Sequence, residues 1–151
     1  MESPQSAQPI YAGEFRHAMD AKNRVTIPSR WRRGEVDEFF VIPNLKGGFM
    51  MVVPPAEFTR LAEKVEHDQN LKPEERSRFM RQFSSRAQHL IGDKQGRIVL
   101  PDEQCKLLNL RTEVVLVGSY YRFEIWGPEA WQKTAEEDGQ MFGYMLERIG
   151  I

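Results

Sequence analysis

The nine residues "DAKNRVTIP", beginning at Asp20, return as "DKQGRIVLP" beginning at Asp93, so one short phrase is written twice in a chain of 151 residues. The repetition reaches beyond the phrase. At a constant offset of 73, Asp20 matches Asp93, Arg24 matches Arg97, Pro28 matches Pro101, Pro55 matches Pro128 and Phe58 matches Trp131. Solenoids stack several shorter units, whereas two copies of this length suit two half-units that complete one core. An independent core needs roughly 50 residues or more, so a single pseudo-symmetric domain is the simpler expectation.

Both copies share one local grammar. A strand leads into the Asp, a tight turn falls at Lys22-Asn23 or Gln95-Gly96, and a strand leaves as "RVTI" or "RIVL". Asn23 and Gly96 suit the positive φ that a two-residue hairpin turn requires. Alternation sets Val25 and Ile27, or Ile98 and Leu100, on the inner face, with Arg24 and Thr26, or Arg97 and Val99, on the outer one. A proline then opens a helical turn, "SRWRRG" or "DEQCKLLNL", with Gly34 or Asn109 as its stop. Two strands close each half, "FFVI" with "FMMVV" and "EVVLV" with "RFEIW".

Helical spacing marks two further segments. After Pro55, Phe58, Leu61, Ala62 and Val65 form an apolar stripe with Glu57, Arg60, Glu63 and Lys64 off it. A helix over about 73–86 should carry Phe79, Met80 and Phe83 inward. The class expected is α+β, mainly β. Residues 1–9 read as a flexible arm, 10–86 as the first repeat with its linker helices, 87–138 as the second repeat, and 139–151 as an apolar tail. Met141, Phe142, Met145 and Leu146 of that tail are expected to pack on the chain's own body, with a partner or ring contact as the alternative.

Several function classes are disfavoured. No apolar run approaches the roughly 20 residues of a membrane span, and the first residues lack the basic start and apolar stretch of a signal peptide. With one cysteine, Cys105, there is no internal disulfide, and the cytoplasm is the expected compartment. His17, His67 and His89 lie in separate segments without metal-ligand spacing, and Cys105 has no base nearby in sequence, so no catalytic residue, metal or cofactor is expected. A net charge of −1 argues against indiscriminate coating of nucleic acid. The charge is unevenly spread, however: residues 14–34 hold Arg16, Lys22, Arg24, Arg30, Arg32 and Arg33 against Glu14 and Asp20.

The doubled phrase also has a purely structural reading. Each Asp can clasp its turn by accepting backbone N–H groups or by pairing with the Arg four residues on, which makes Asp20, Asn23, Asp93 and Gly96 turn-shaping residues. On the residues alone, outward-facing Lys22 and Arg24 fit a phosphate-contacting surface as well as a solvated one.

The stretches "GEFRHAMDAKNRVTIPSRWR", "DKQGRIVLP" and "VVLVGSYYRFEIWGPEAW" resemble, in order and spacing, the MraZ family of bacterial transcriptional regulators, over about Tyr11 to Trp131. The resemblance implies an AbrB-like swapped-hairpin β-barrel, built from two repeats about a pseudo-twofold axis, with peripheral helices. It also implies a homo-oligomeric ring that binds double-stranded DNA at direct repeats in a promoter. Such a protein would be nucleoid-associated and would mainly repress its own division and cell-wall gene cluster. Carried over residue by residue, the DNA-facing turns fall on Asp20, Lys22 and Arg24 and on Asp93 and Arg97. Arg16, Arg30, Arg32, Arg33 and Lys94 are the auxiliary candidates. Asn23 stands where Gly is usual, Ala12 where Arg is common, and Gln95 where Lys22 has its counterpart. Because Asp93, Asp102 and Glu103 offset Lys94, Arg97 and Lys106, the first repeat is expected to dominate DNA contact.

Overall fold

In a computed structural model that describes residues 10–151, the two halves exchange strands. The arm expected over residues 1–9 lies outside the described residues. In the first half the order is β1 (Glu14–Ala18), β2 (Arg24–Thr26), a 3-10 turn (Ser29–Trp31), β3 (Glu38–Asn44), β4 (Phe49–Val53), α1 (Pro55–Glu66) and α2 (Pro73–Arg86). The second half continues with β5 (Gln88–Ile91), β6 (Arg97–Val99), α3 (Asp102–Leu107), β7 (Glu113–Gly118), β8 (Phe123–Trp126) and α4 (Pro128–Ile149).

The main sheet has six strands in the order β1-β7-β8-β4-β3-β5, and β2 and β6 form a separate ribbon. Exchanging β1 with β5, β3 with β7, and β4 with β8 returns the same order reversed. Strands flanking each phrase do not pair with each other, as a simple hairpin would have them do. The Asp20 N–H donates to the Arg24 carbonyl at 3.2 Å and the Asp93 N–H to the Arg97 carbonyl at 2.9 Å. Beyond that rung the strands part: β1 runs antiparallel to β7 and β5 to β3, while β2 and β6 pair antiparallel with each other. The sheet therefore keeps β1 and β5 as its two edges and does not close. The closed barrel expected from the resemblance is replaced by an open sheet capped by a ribbon.

Alternation across the ribbon is as expected. Val25, Ile27, Ile98 and Leu100 are buried, whereas Val99 is exposed. Beneath them Trp31 stands edge-on to Tyr11 and Phe15, at centroid distances of 5.6 and 5.2 Å, and leans on Phe123 at 4.9 Å. The 3-10 turn that carries Trp31 is shorter than expected. Arg32 is already extended (φ −80, ψ 134), so Gly34 is not its stop, whereas Asn109 does take a positive φ of 56 after α3.

A second cluster forms where Phe58 of α1 stacks against Phe40 and Phe83, at 4.3 and 4.9 Å. Two side chains depart from the expected helix faces. Phe79 remains 44% exposed, and Glu57, placed off the stripe by periodicity, is 1% exposed. Burial of the carboxylate is compensated by Arg60, whose Nε and Nη2 donate to it at 2.6 and 3.1 Å, and by Arg122 at 3.6 Å. Removing a buried carboxylate leaves its cationic partners uncompensated. Because Arg60 and Arg122 keep 47% and 33% of their side chains exposed and can rehydrate, Glu57→Ala should lower unfolding stability by about 1–3 kcal/mol, a loss that denaturant titration would measure. A change below about 0.5 kcal/mol, the usual size at an exposed position, would show that the ion pair contributes nothing net.

The two halves differ most after their prolines. The first breaks its helix at His67 and resumes at Pro73, folding α2 back over α1. After Pro128 the second half contains no further proline, and α4 runs unbroken for 22 residues. Near its start α4 is tied down by Trp131, which packs on Trp126 at 5.4 Å and donates from Nε1 to Glu14 at 2.8 Å. No residue of α4 is buried, and Met141, Phe142 and Met145 lie exposed. Of the four tail residues expected to pack on the chain's own body, only Leu146 is half-buried. Among the described residues, no helix is long and apolar enough to cross a membrane.

Candidate nucleic-acid interface

Each phrase folds into the same clasp. Asp20 Oδ1 accepts the backbone N–H groups of Lys22 and Arg24, both at 2.9 Å, while Oδ2 accepts Arg24 Nε at 2.6 Å. In the second turn Asp93 accepts from the Gln95 and Arg97 amides at 2.9 Å each and from Arg97 Nε at 2.8 Å. Asn23 and Gly96 take φ values of 60 and 79, where Asn and Gly are best tolerated. Holding each arginine by Nε leaves both of its Nη groups without a hydrogen-bond acceptor among the described residues. These Nη groups stand at half-exposed positions on the outer face of the ribbon, with side chains 33% and 31% exposed.

Arg24 pairs with Val99 and Arg97 with Thr26 across the ribbon, so the two arginines are diagonal neighbours on one face. Diagonal positions in an antiparallel pair lie roughly 7–8 Å apart, within reach of two long side chains. Thr26 and Val99 complete that face. The alternation of "RVTI" and "RIVL" marked the face, but sequence could not show that the two phrases sit side by side.

The clasps hold both carboxylates ionised. Asp20 and Asp93 are shifted below the ordinary Asp range, first by the Arg24 and Arg97 backbone N–H groups and also by the side-chain bonds to the same arginines. A depressed folded-state pKa stabilises the fold above the unfolded carboxylate pKa, and the contribution is lost as pH falls through the lowered value. Both carboxyls should titrate below their values in the denatured chain when followed by NMR. A midpoint at or above the denatured value would mean that the clasps are open in solution.

The other candidates divide between the turns. Lys22 and Lys94 are exposed in the first and second turn. Arg32 crosses to the second turn, where Nη1 donates to the Gln95 carbonyl at 3.1 Å and the guanidinium covers Gly96 so closely that a Cβ there would strike it. Arg30 is exposed in the 3-10 turn beside it. By contrast Arg16 pairs with Glu113 at 3.1 Å, and the Arg33 guanidinium turns back to the Ile10 carbonyl at 2.8 Å. Neither joins the clasped pair. Asp102, which the sequence did not place here, accepts a bond from Asn23 at 3.2 Å and pairs with Lys106 at 3.0 Å, bringing acid to the first turn.

Charge therefore does not follow sequence order. The first turn has Lys22, Arg24 and Lys106 beside two carboxylates, and the second has Lys94, Arg97 and Arg32 beside one. Because the halves interlock, Arg32 of the first half supports the turn of the second, which charge summed along the chain could not reveal.

Two interlocked copies, each presenting one clasped arginine on a shared ribbon, define an internally duplicated protein of mixed α and β structure, with more strands than helices among the described residues. Comparison with known proteins gives that class a family. The family model described as "MraZ protein, putative antitoxin-like" matches twice, over residues 10–81 and 83–144. A protein of Pediococcus pentosaceus named Transcriptional regulator MraZ is 34% identical over 140 residues, 93% of this chain and 96% of the relative. The proteins of that name from Symbiobacterium thermophilum (34% over 139 residues; 92% and 99% covered) and Natranaerobius thermophilus (35% over 140; 93% and 96%) are similar to a like extent. The chain belongs to the MraZ family.

Proposed function

We propose that the protein is a sequence-specific DNA-binding transcriptional regulator that represses its own division and cell-wall gene cluster. In this reading it is a cytoplasmic, nucleoid-associated homo-oligomeric ring whose protomers engage direct repeats in the promoter, and the exchanged halves are an AbrB-like pair of swapped hairpins. The observation that carries the reading is the pair of arginines held by Nε on one exposed face. An arginine fixed in this way offers Nη1 and Nη2 as a bidentate donor to guanine O6 and N7, worth about 1–3 kcal/mol of base discrimination. Lys22, Lys94, Arg30 and Arg32 would contact phosphates, which position the protein without reading sequence. Arg16 and Arg33, occupied elsewhere, would contribute less. Asp20 and Asp93 shape the turns and do not touch DNA, since a carboxylate beside phosphate is repelled. Supplying acidic Asp102 to the first turn and Arg32 to the second, the fold favours the two turns acting together over dominance by the first.

One ribbon makes few contacts, so repeats spaced near a helical turn would be engaged by several protomers at once, with avidity well above that of one ribbon. Fluorescence anisotropy on duplex from upstream of the protein's own gene tests the reading. Preferential binding over a scrambled duplex, weakening as salt is raised, is the expected result. Equal weak binding to both duplexes would overturn it.

A further inference from the structure

Between α1, α2 and the β3–β4 hairpin lies a groove of about 530 Å³. Ile42, Met51, Leu61, Val65, Phe79 and Phe83 make it apolar, and Lys46, Lys64 and Arg86 stand at it with no carboxylate among the lining residues. Leu45 and Phe79, 48% and 44% exposed, leave it open to an occupant.

The far end of α4 has the opposite character. Met141, Met145 and Ile149 follow one another at four-residue steps, and Phe142 lies beside them, so the four form one stripe on a helix. All are more than half exposed. Asp138 heads the stripe, with Glu136 and Glu137 next to it, and α4 as a whole carries five carboxylates against Lys133 and Arg148. Its start is tied to β1 and β8 by Trp131, whereas the groove belongs to β3, β4 and their helices on the other half of the sheet. A helix of this length extends about 33 Å, and beyond Ala135 only Leu146 is even half-buried by its own chain.

We infer that the apolar stripe of α4 seats in the α1–α2 groove of a second copy of this chain. The inference rests on the homo-oligomer proposed above and names the contact that builds it. Apolar side chains meet an apolar floor, and the acidic head of the stripe meets the cationic rim; this complementarity favours a second copy over a partner of unrelated chemistry. Stripe and groove are different surfaces, so the contact is head-to-tail, and each protomer gives one helix and receives one. A single helix face covers less than the roughly 800 Å² per partner of a standard stable interface. Closure supplies two such contacts per protomer, which is how a small contact can hold a ring.

The test uses the full chain in two variants, Phe142→Glu/Met145→Glu on the stripe and Leu45→Glu/Phe79→Glu at the groove. All four positions are largely exposed, so both variants should fold, as circular dichroism would verify. Light scattering coupled to gel filtration should give a multiple of the 17.6 kDa chain for the unaltered protein and a single chain for each variant. Mixed in equal amounts, the variants retain one intact stripe and one intact groove but cannot close a ring, so they should form a dimer that appears only as concentration is raised, and nothing larger. Folded variants that keep the native assembly, or a mixture that assembles beyond a dimer, would overturn the contact while leaving the oligomer standing. A monomeric unaltered protein would overturn both. Binding to promoter duplex is read separately, since neither variant touches the ribbon.

Discussion

Replacing Arg24 and Arg97 together by alanine should lower affinity for the promoter duplex by roughly 100-fold or more, and most of the preference over scrambled DNA should go with it. The estimate follows from about 1–3 kcal/mol for each bidentate contact and about 1.4 kcal/mol per tenfold in affinity. Each single variant should show roughly the square root of that loss if the two arginines read independent bases. Lys22→Ala should behave differently, weakening binding to both duplexes alike and reducing the salt slope by about one unit, as a phosphate contact does. Anisotropy at several salt concentrations separates the two patterns. If Arg24→Ala/Arg97→Ala bound both duplexes as the unaltered protein does, the ribbon would not be the reading surface.

The aspartates supply a test of opposite sign. Asp20→Ala removes a negative charge, which by electrostatics alone would strengthen binding to DNA. Its carboxylate also fixes two turn amides and Arg24 Nε, at 2.9, 2.9 and 2.6 Å. If orientation of the guanidinium is what matters, Asp20→Ala should weaken specific binding despite the added positive charge, while binding to the scrambled duplex holds or rises. Tighter binding to both duplexes would assign Asp20 a merely electrostatic role.

The local parts of this site were legible in the sequence, whereas its assembly was not. Asp, Asn or Gly, and Arg at fixed spacing are enough to specify a clasped turn, because every bond in it spans four residues or fewer. Alternation was enough to turn Arg24 and Arg97 outward. What the spacing could not convey was the pairing of β2 with β6, which sets residues 73 apart side by side. The same exchange carries Arg32 to the second turn and Asp102 to the first. Glu57 escaped for a related reason: periodicity marks it as a surface residue, and of the two arginines that meet its carboxylate, Arg60 is near in sequence whereas Arg122 approaches from the other half. At α4 the apolar spacing was read correctly and its destination was not, because periodicity identifies a face and leaves open what covers it.

Trp31→Ala should be among the most damaging single substitutions in the chain, costing about 3–5 kcal/mol of unfolding stability. Trp31 is 1% exposed and touches aromatic rings of both halves, Tyr11 and Phe15 on one side and Phe123 on the other. Its Nε1 donates to the Ala12 carbonyl at 3.0 Å, holding the segment that leads into β1. For a chain of this size, such a loss corresponds to a fall of about 10 °C in Tm. Trp131→Ala, at a half-buried position on α4, should cost clearly less. The location gives the effect a functional side, since Arg32 is the next residue and reaches the second turn only while Trp31 fixes the chain beneath it. Trp31→Phe keeps most of the ring and loses the hydrogen bond, so it should leave the protein folded at 25 °C with a smaller deficit of about 1–2 kcal/mol. In that folded variant, loosening of Arg32 should appear as a lower salt slope with base preference retained, because Arg24 and Arg97 stay clasped by their own aspartates. An unchanged slope in Trp31→Phe, with the expected loss of stability, would confine Trp31 to the core and detach Arg32 from DNA contact.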